Sequence, residues 1–258
     1  MFLTTKLTFL GVGGWISDPI LNYTSFAIFS KSNDWILVEA GEGVYASLRR
    51  CGLDLDSKFK GVIISHRHGD HFLGLPTILQ IAKHKGFEKI NIFSITDVGK
   101  ALEKLLEISG SLNVLDIVNF KAIDYGSKIS IGNEFGIEFI EALHPIPAAS
   151  IKIYVDDICI VYSGDTVYNP RLIEFAKGCK MLIHEASGYS EEAHRYGHST
   201  YRDAIEIALK SGVKILTLIH FYLYPQPIEI PIDADIAKLK ILVPYPCQTI
   251  EINNYNPL

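Results

Sequence analysis

Apolar residues recur along this chain in two alternating rhythms. Runs of strand length stand at residues 6–10, 25–29, 35–39, 61–65, 89–93, 136–143, 151–155, 158–163, 181–185 and 214–219. Two shorter runs, 241–243 and 249–252, close the series. Between them, apolar positions spaced for one helix face predict helices over 44–51, 73–83, 97–109, 170–176 and 201–210. The last helix is the best marked. Thr200 can cap its first turn, Asp203 three residues on completes a capping box, and Gly212 ends it. Asp156-Asp157 between two apolar runs predicts a hairpin turn. Many strands with helices between them predict an α/β protein whose sheets carry helices on their outer faces.

Composition narrows this picture. The chain has 258 residues, 48% hydrophobic and 21% charged, which are globular values. No shift in composition marks a boundary, so one domain is expected over residues 1–258. No apolar stretch reaches the roughly 18 residues of a membrane helix. Lys6 interrupts the apolar N-terminus, which reads as a first strand and not as a signal peptide. The net charge of −5 is uneven. Residues 1–130 carry 14 Lys and Arg against 13 Asp and Glu, while 131–258 carry 10 against 16. Neither half is a dedicated nucleic-acid module. Cys51, Cys159, Cys179 and Cys247 form no CxxC spacing, so reduced thiols in a cytoplasmic protein are expected.

The chemistry concentrates after the run 61–65. There the sequence reads His66-Arg67-His68-Gly69-Asp70-His71. With nine His in the chain, this pattern arises by chance about 6 times in 10,000. Imidazole nitrogens suit zinc and carboxylate oxygens suit harder divalent ions, so the loop is a metal-binding candidate. His66 and His68 project to one side of an extended loop and can grip one ion. Asp70 and His71, on the following turn, can grip a second. His144, Asp165 and His220 each stand just beyond a predicted strand and are the candidates to complete the two sets.

These residues carry a resemblance. Residues 66–75 (HRHGDHFLGL), Ser163-Gly164-Asp165-Thr166, His184-Glu185-Ala186, Gly197-His198-Ser199-Thr200 and His220-Phe221 match motifs of the metallo-β-lactamase superfamily, within its ribonuclease Z-like branch. Residues 10–14 and 39–43 resemble that family's opening Gly-rich turn and its Asp-Cys-Gly-Glu-Gly segment. The resemblance implies a four-layer αββα sandwich holding two zinc ions, with manganese as the substitute. It implies that His66, His68 and His144 hold the first ion and that Asp70, His71 and His220 hold the second. Asp165 would bridge them. A hydroxide bridging the ions would attack the phosphodiester. The resemblance also counts Asp70 among the catalytic residues, makes His198 the acid that protonates the leaving oxygen, and has Glu185 orient and charge it.

The chain departs from this family in three places. His144 and Asp165 lie only 21 residues apart, room for a hairpin but not for the long arm that tRNA-processing relatives use. The residues after His220 supply no Arg, and the loop 15–23 supplies no basic residue. Aromatics stand there instead: Trp15, Tyr23, Tyr222 and Tyr224. The expected activity is a metal-dependent phosphodiesterase acting on RNA 3′ ends or on small diesters such as cyclic nucleotides. The alternative is a hydrolase of the same fold acting on an ester, thioester or lactone. A diiron redox protein fits less well, because such sites place Glu where this chain has His68. The expected setting is cytoplasmic, without a membrane, and as a homodimer whose second copy could replace the arm.

Overall fold

The computed structural model describes residues 4–16, 19–222, 228–230 and 236–252. Tyr224, one of the aromatics singled out above, lies outside them. The described strands form two seven-stranded sheets.

In the first sheet, β1 (Lys6–Gly11), β2 (Ser25–Phe29) and β3 (Trp35–Val38) form an antiparallel meander, with β14 (Thr249–Glu251) on the outer edge of β1. The sheet continues in parallel through β4 (Phe59–Ile63), β5 (Ile90–Ser94) and β6 (Val118–Ala122). Parallel neighbours need crossovers, and helices provide them. These are α1 (Val44–Arg50), the single-turn α2 (Gly69–Phe72) with α3 (Leu75–His84), and α4 (Thr96–Ile108).

The second sheet repeats the plan. Antiparallel β7 (Lys128–Ile131), β8 (Phe135–Glu141), β9 (Ala149–Val155) and β10 (Ile158–Tyr162) lead into parallel β11 (Met181–Glu185), β12 (Ile215–Ile219) and β13 (Lys240–Leu242). Helices α5 (Arg171–Ala176) and α6 (Tyr201–Ser211) make the crossovers from β10 to β11 and from β11 to β12.

Side-chain alternation glues the layers. On β10, Ile160 and Tyr162 point into the core between the sheets, whereas Val161 faces the helices. The Tyr162 ring meets Phe26 of the opposite sheet edge-on, with centroids 5.3 Å apart. On β12, Leu216 and Leu218 pack against Ala204 and Ala208 of α6. The result is the αββα sandwich.

Several expectations need correction. The four cysteines are not free thiols: Cys51 pairs with Cys247, and Cys159 with Cys179. Their separations of 196 and 20 residues hid partners that only the fold brings together. Strands β6 and β7 were missed because both are sheet edges with few buried residues. The helix expected over 73–83 is present as α3, shifted to Leu75–His84, and Asp70 and His71 sit in the separate turn α2 just before it. The capping box of Thr200 and Asp203 and the hairpin turn at Asp156-Asp157 are present. Among the described residues, no helix is long and apolar enough to cross a membrane.

Candidate metal centre

In the second sheet β8, β10, β11 and β12 run the same way, and their carboxyl ends meet that of β4 from the first sheet at one rim of the sandwich. Just past or at those ends stand His66, His144, Asp165, Glu185 and His220. Ligand sites gather at the carboxyl ends of parallel strands because the chain leaves the sheet there and its side chains turn inward together. His68 caps α2 in extended conformation, which lets the following turn carry Asp70 and His71 back toward the rim.

The seven sequence candidates converge in two groups whose ligand atoms all lie within 4.8 Å of one another. His66, His68, His144 and Asp165 form one; Asp70, His71, His220 and Asp165 form the other. Asp165 belongs to both. Its Oδ2 lies 3.6 Å from His66 Nε2 and 3.3 Å from His71 Nε2, and its Oδ1 lies 3.4 Å from His220 Nε2. Asp70 Oδ2 approaches His220 Nε2 at 3.2 Å and His71 Nε2 at 3.4 Å.

This donor set fits metal ions and little else. His68 Nδ1 lies 3.1 Å from both His66 Nε2 and His144 Nε2. Nitrogens bound to one tetrahedral zinc stand roughly 3.4 Å apart, close to this spacing. One N–H cannot bridge two such contacts. Burial, with the neighbouring imidazoles, holds His66 well below the usual histidine range; burial also lowers His68 and His144. Burial opposes the Asp165 carboxylate, yet His220 and His71 hold it well below the usual range, and Oδ1 has no hydrogen-bond partner. Neutral imidazoles and ionised carboxylates are the forms that bind metal. Burial also opposes a proton on His71, but Asp165, Asp70 and Glu39 raise it well above the ordinary range. Three carboxylates around one ring demand positive charge, which bound cations would supply.

A second layer fixes the rings. His66 Nδ1 meets Ser65 Oγ at 2.8 Å, His144 Nδ1 donates to the Gly197 carbonyl at 2.9 Å, and His220 Nδ1 meets Ser187 Oγ at 2.7 Å. Each contact leaves Nε2 facing the cluster. His71 Nδ1 lies 3.5 Å from the buried Glu39 carboxylate, itself held by the Ser65 amide. Glu39 and His220 both adopt left-handed backbone, at φ 64° and 63°. That conformation is costly for residues with a Cβ, and here it sits at the two strand ends beside the cluster. Gly41 is obligatory for another reason, since a Cβ there would lie 2.0 Å from the Asp70 carbonyl. Glu39 opens the 39–43 segment that carries part of the resemblance, but no role was read from it; Ser65 and Ser187 stand only beside motifs.

His198 and Glu185 stand against this centre. His198 Nδ1 lies 3.0 Å from Glu185 Oε1, and the carboxylate takes amide hydrogens from Thr166 at 2.9 Å and Ser187 at 3.3 Å. Burial works against an imidazolium at His198, but Glu185 outweighs it and pushes the pKa up to about 9. Of the remaining histidines, His184 is buried with Nδ1 donating to the Glu185 carbonyl, and His84 is exposed. His194 pairs with Asp203 at 2.7 Å.

The centre opens into a cavity of about 990 Å³. His68, Asp70, Asp165 and His198 form its floor, and no Lys or Arg lines it among the described residues.

The profile of one protein family, described as "Anti-Pycsar protein Apyc1", matches residues 5–231. A ribonuclease Z of Picrophilus torridus is 29% identical over 280 residues, spanning 86% of this chain and 87% of that protein. Among solved structures, the metallo-β-lactamase fold protein YhfI of Bacillus subtilis superposes with a TM-score of 0.81 at 21% identity, covering 96% of this chain and 99% of the other. The short form of human tRNase Z gives 0.79 at 20% identity, covering 96% and 99%. Both share the metallo-β-lactamase fold.

Proposed function

The chain belongs to the Apyc1 anti-Pycsar protein family, and we propose that it is a dinuclear metal-dependent phosphodiesterase acting on small phosphodiesters, cyclic nucleotides among them. The observation that carries this reading is the His198–Glu185 pair placed against two four-residue clusters that share Asp165. His66, His68 and His144 would hold one zinc or manganese ion, Asp70, His71 and His220 the other, and Asp165 both. Two dications there would neutralise the phosphate charge and acidify a water to serve as nucleophile.

The chain's own residues supply the rest. Glu185 holds His198 by Nδ1, leaving Nε2 as the atom that can hand a proton to a departing oxygen. An alkoxide needs that proton and a thiolate does not, so the pair favours a phosphate ester over a thioester. Both clusters draw on residues from His66 to His220, so one hydrolase domain would carry the whole site.

The cavity argues for a small substrate. Between His144 and Asp165 the chain forms only the β9–β10 hairpin, with no arm to grip a folded RNA. Among the described residues, Glu42 and Glu192 line the cavity without any Lys or Arg, a poor setting for a polyanion. The ribonuclease Z relatives make RNA 3′ ends the competing substrate.

Zinc- or manganese-loaded protein, assayed with a chromogenic phosphodiester, tests the reading. Metal uptake with metal-dependent hydrolysis is the expected result. Failure to take up metal at pH 8, or metal-loaded protein that leaves the diester intact, contradicts it.

A further inference from the structure

We infer that Trp15 and Tyr222 form the platform on which the planar, uncharged group of the substrate stacks, and that this pair sets specificity among small diesters. The inference rests on the phosphodiesterase reading above. Both rings line the cavity whose floor carries His68, Asp70, Asp165 and His198. They lie nearly parallel, with centroids 6.2 Å apart and planes 21° from each other. Both remain open to solvent, Trp15 at 60% and Tyr222 at 41%. Large aromatic faces left wet on a cavity wall are surface that a planar ligand can cover.

The backbone ties the pair rigidly to the reacting centre. Gly14, just before Trp15, donates its amide to the Phe221 carbonyl at 2.9 Å. Phe221, just before Tyr222, donates to the Val12 carbonyl at 3.2 Å, and it directly follows His220. Gly14 packs so closely on His220 that a Cβ there would come within 3.1 Å of the imidazole. The residue before each ring is therefore anchored beside a residue of the second cluster. Charge says what it would take. The phosphate belongs with the clusters, and the described residues of the walls offer Glu42 and Glu192 with no Lys or Arg. A second phosphate would be repelled. A neutral ring, such as a nucleobase, would not.

The test compares two substrates with one leaving group, thymidine 5′-(p-nitrophenyl phosphate) and methyl p-nitrophenyl phosphate, on the metal-loaded protein. Wild type should prefer the nucleoside diester by tenfold or more in kcat/KM. Stacking on one aromatic ring accounts for a factor of about 5 to 100. Trp15→Ala and Tyr222→Ala should each reduce the preference about fivefold or more, while Trp15→Phe keeps most of it. Trp15 is exposed, so its loss spares the core. The only other tryptophan, Trp35, is buried. Thymidine 5′-monophosphate should therefore quench the tryptophan fluorescence of wild type and not that of Trp15→Ala. A preference near one in wild type, or one unmoved by either alanine, overturns the inference. So does a Trp15→Ala variant that changes oligomeric state with its preference intact, since the pair is then a contact between copies. If neither diester turns over, the phosphodiesterase reading falls, and the fluorescence titration still decides the platform.

Discussion

His198 Nδ1 stands 3.0 Å from Glu185 Oε1, and Glu185 is completely buried, held by the amides of Thr166 and Ser187. A carboxylate so fixed sets both the charge and the direction of the ring beside it. His198 lines the cavity, and Nδ1 is the ring nitrogen that meets Glu185 and Ser187. We assign different roles to the clusters and to this pair, metal binding to the first and proton handling to the second, although the pair adjoins His220.

That separation is testable. His198→Ala should keep its metal content but lose about 10²–10⁴ in turnover of a diester with an alkyl leaving group. A nitrophenolate departs without a proton, so its hydrolysis should fall much less. Equal losses on both substrates would make His198 a structural residue.

The pH dependence follows from the same pair. A pKa raised to about 9 keeps His198 protonated through neutral pH, and the acid is lost as pH rises through that value. Bound cations pull the other way, so the alkaline limb should lie at or below about 9. Alkyl-diester turnover should fall along this limb, and nitrophenyl-diester turnover should not. Glu185→Gln should shift the limb toward lower pH. A profile identical for both leaving groups would contradict the assignment.

Asp165 is the residue shared by the two clusters. Asp165→Ala should disturb both ions, seen as a loss of more than one metal per chain by elemental analysis. His220→Ala should loosen mainly one. Equal metal loss in the two variants would rule out the shared role.

The two disulfides make a prediction about stability. In the chain-entropy picture, loops of 20 and 196 residues correspond to roughly 3 and 5 kcal/mol of stabilisation. Reduction should therefore lower Tm by roughly 15 °C for a chain of this size. Alkylation of the unreduced, unfolded protein should label no cysteine. Four labelled thiols, or a Tm indifferent to reductant, would return the cysteines to the reduced state.

Legibility in the sequence followed the range of each interaction. His66, His68, Asp70 and His71 are neighbours in one loop, so their pattern was readable before any fold. His144, Asp165 and His220 were readable because each follows an apolar run that ends at the common rim. Glu39 was readable as the start of the 39–43 segment, but its part was not, because that depends on a left-handed turn and on reaching His71 from the end of β3. Ser187 is a plain serine until the fold brings it to the His220 ring. The disulfides were hidden for the same reason. Strands β6 and β7 carry little burial, so the apolar rhythm that marked the central strands is weak in them.

The most direct test of the central claim is competition kinetics between a cyclic mononucleotide and a precursor tRNA on zinc- or manganese-loaded protein, at fixed salt. The expected result is opening of the cyclic diester to a monophosphate with a kcat/KM equal to or above that for the tRNA. A tRNA kcat/KM at least a hundredfold higher, worth about 2.7 kcal/mol of remote recognition, would contradict it.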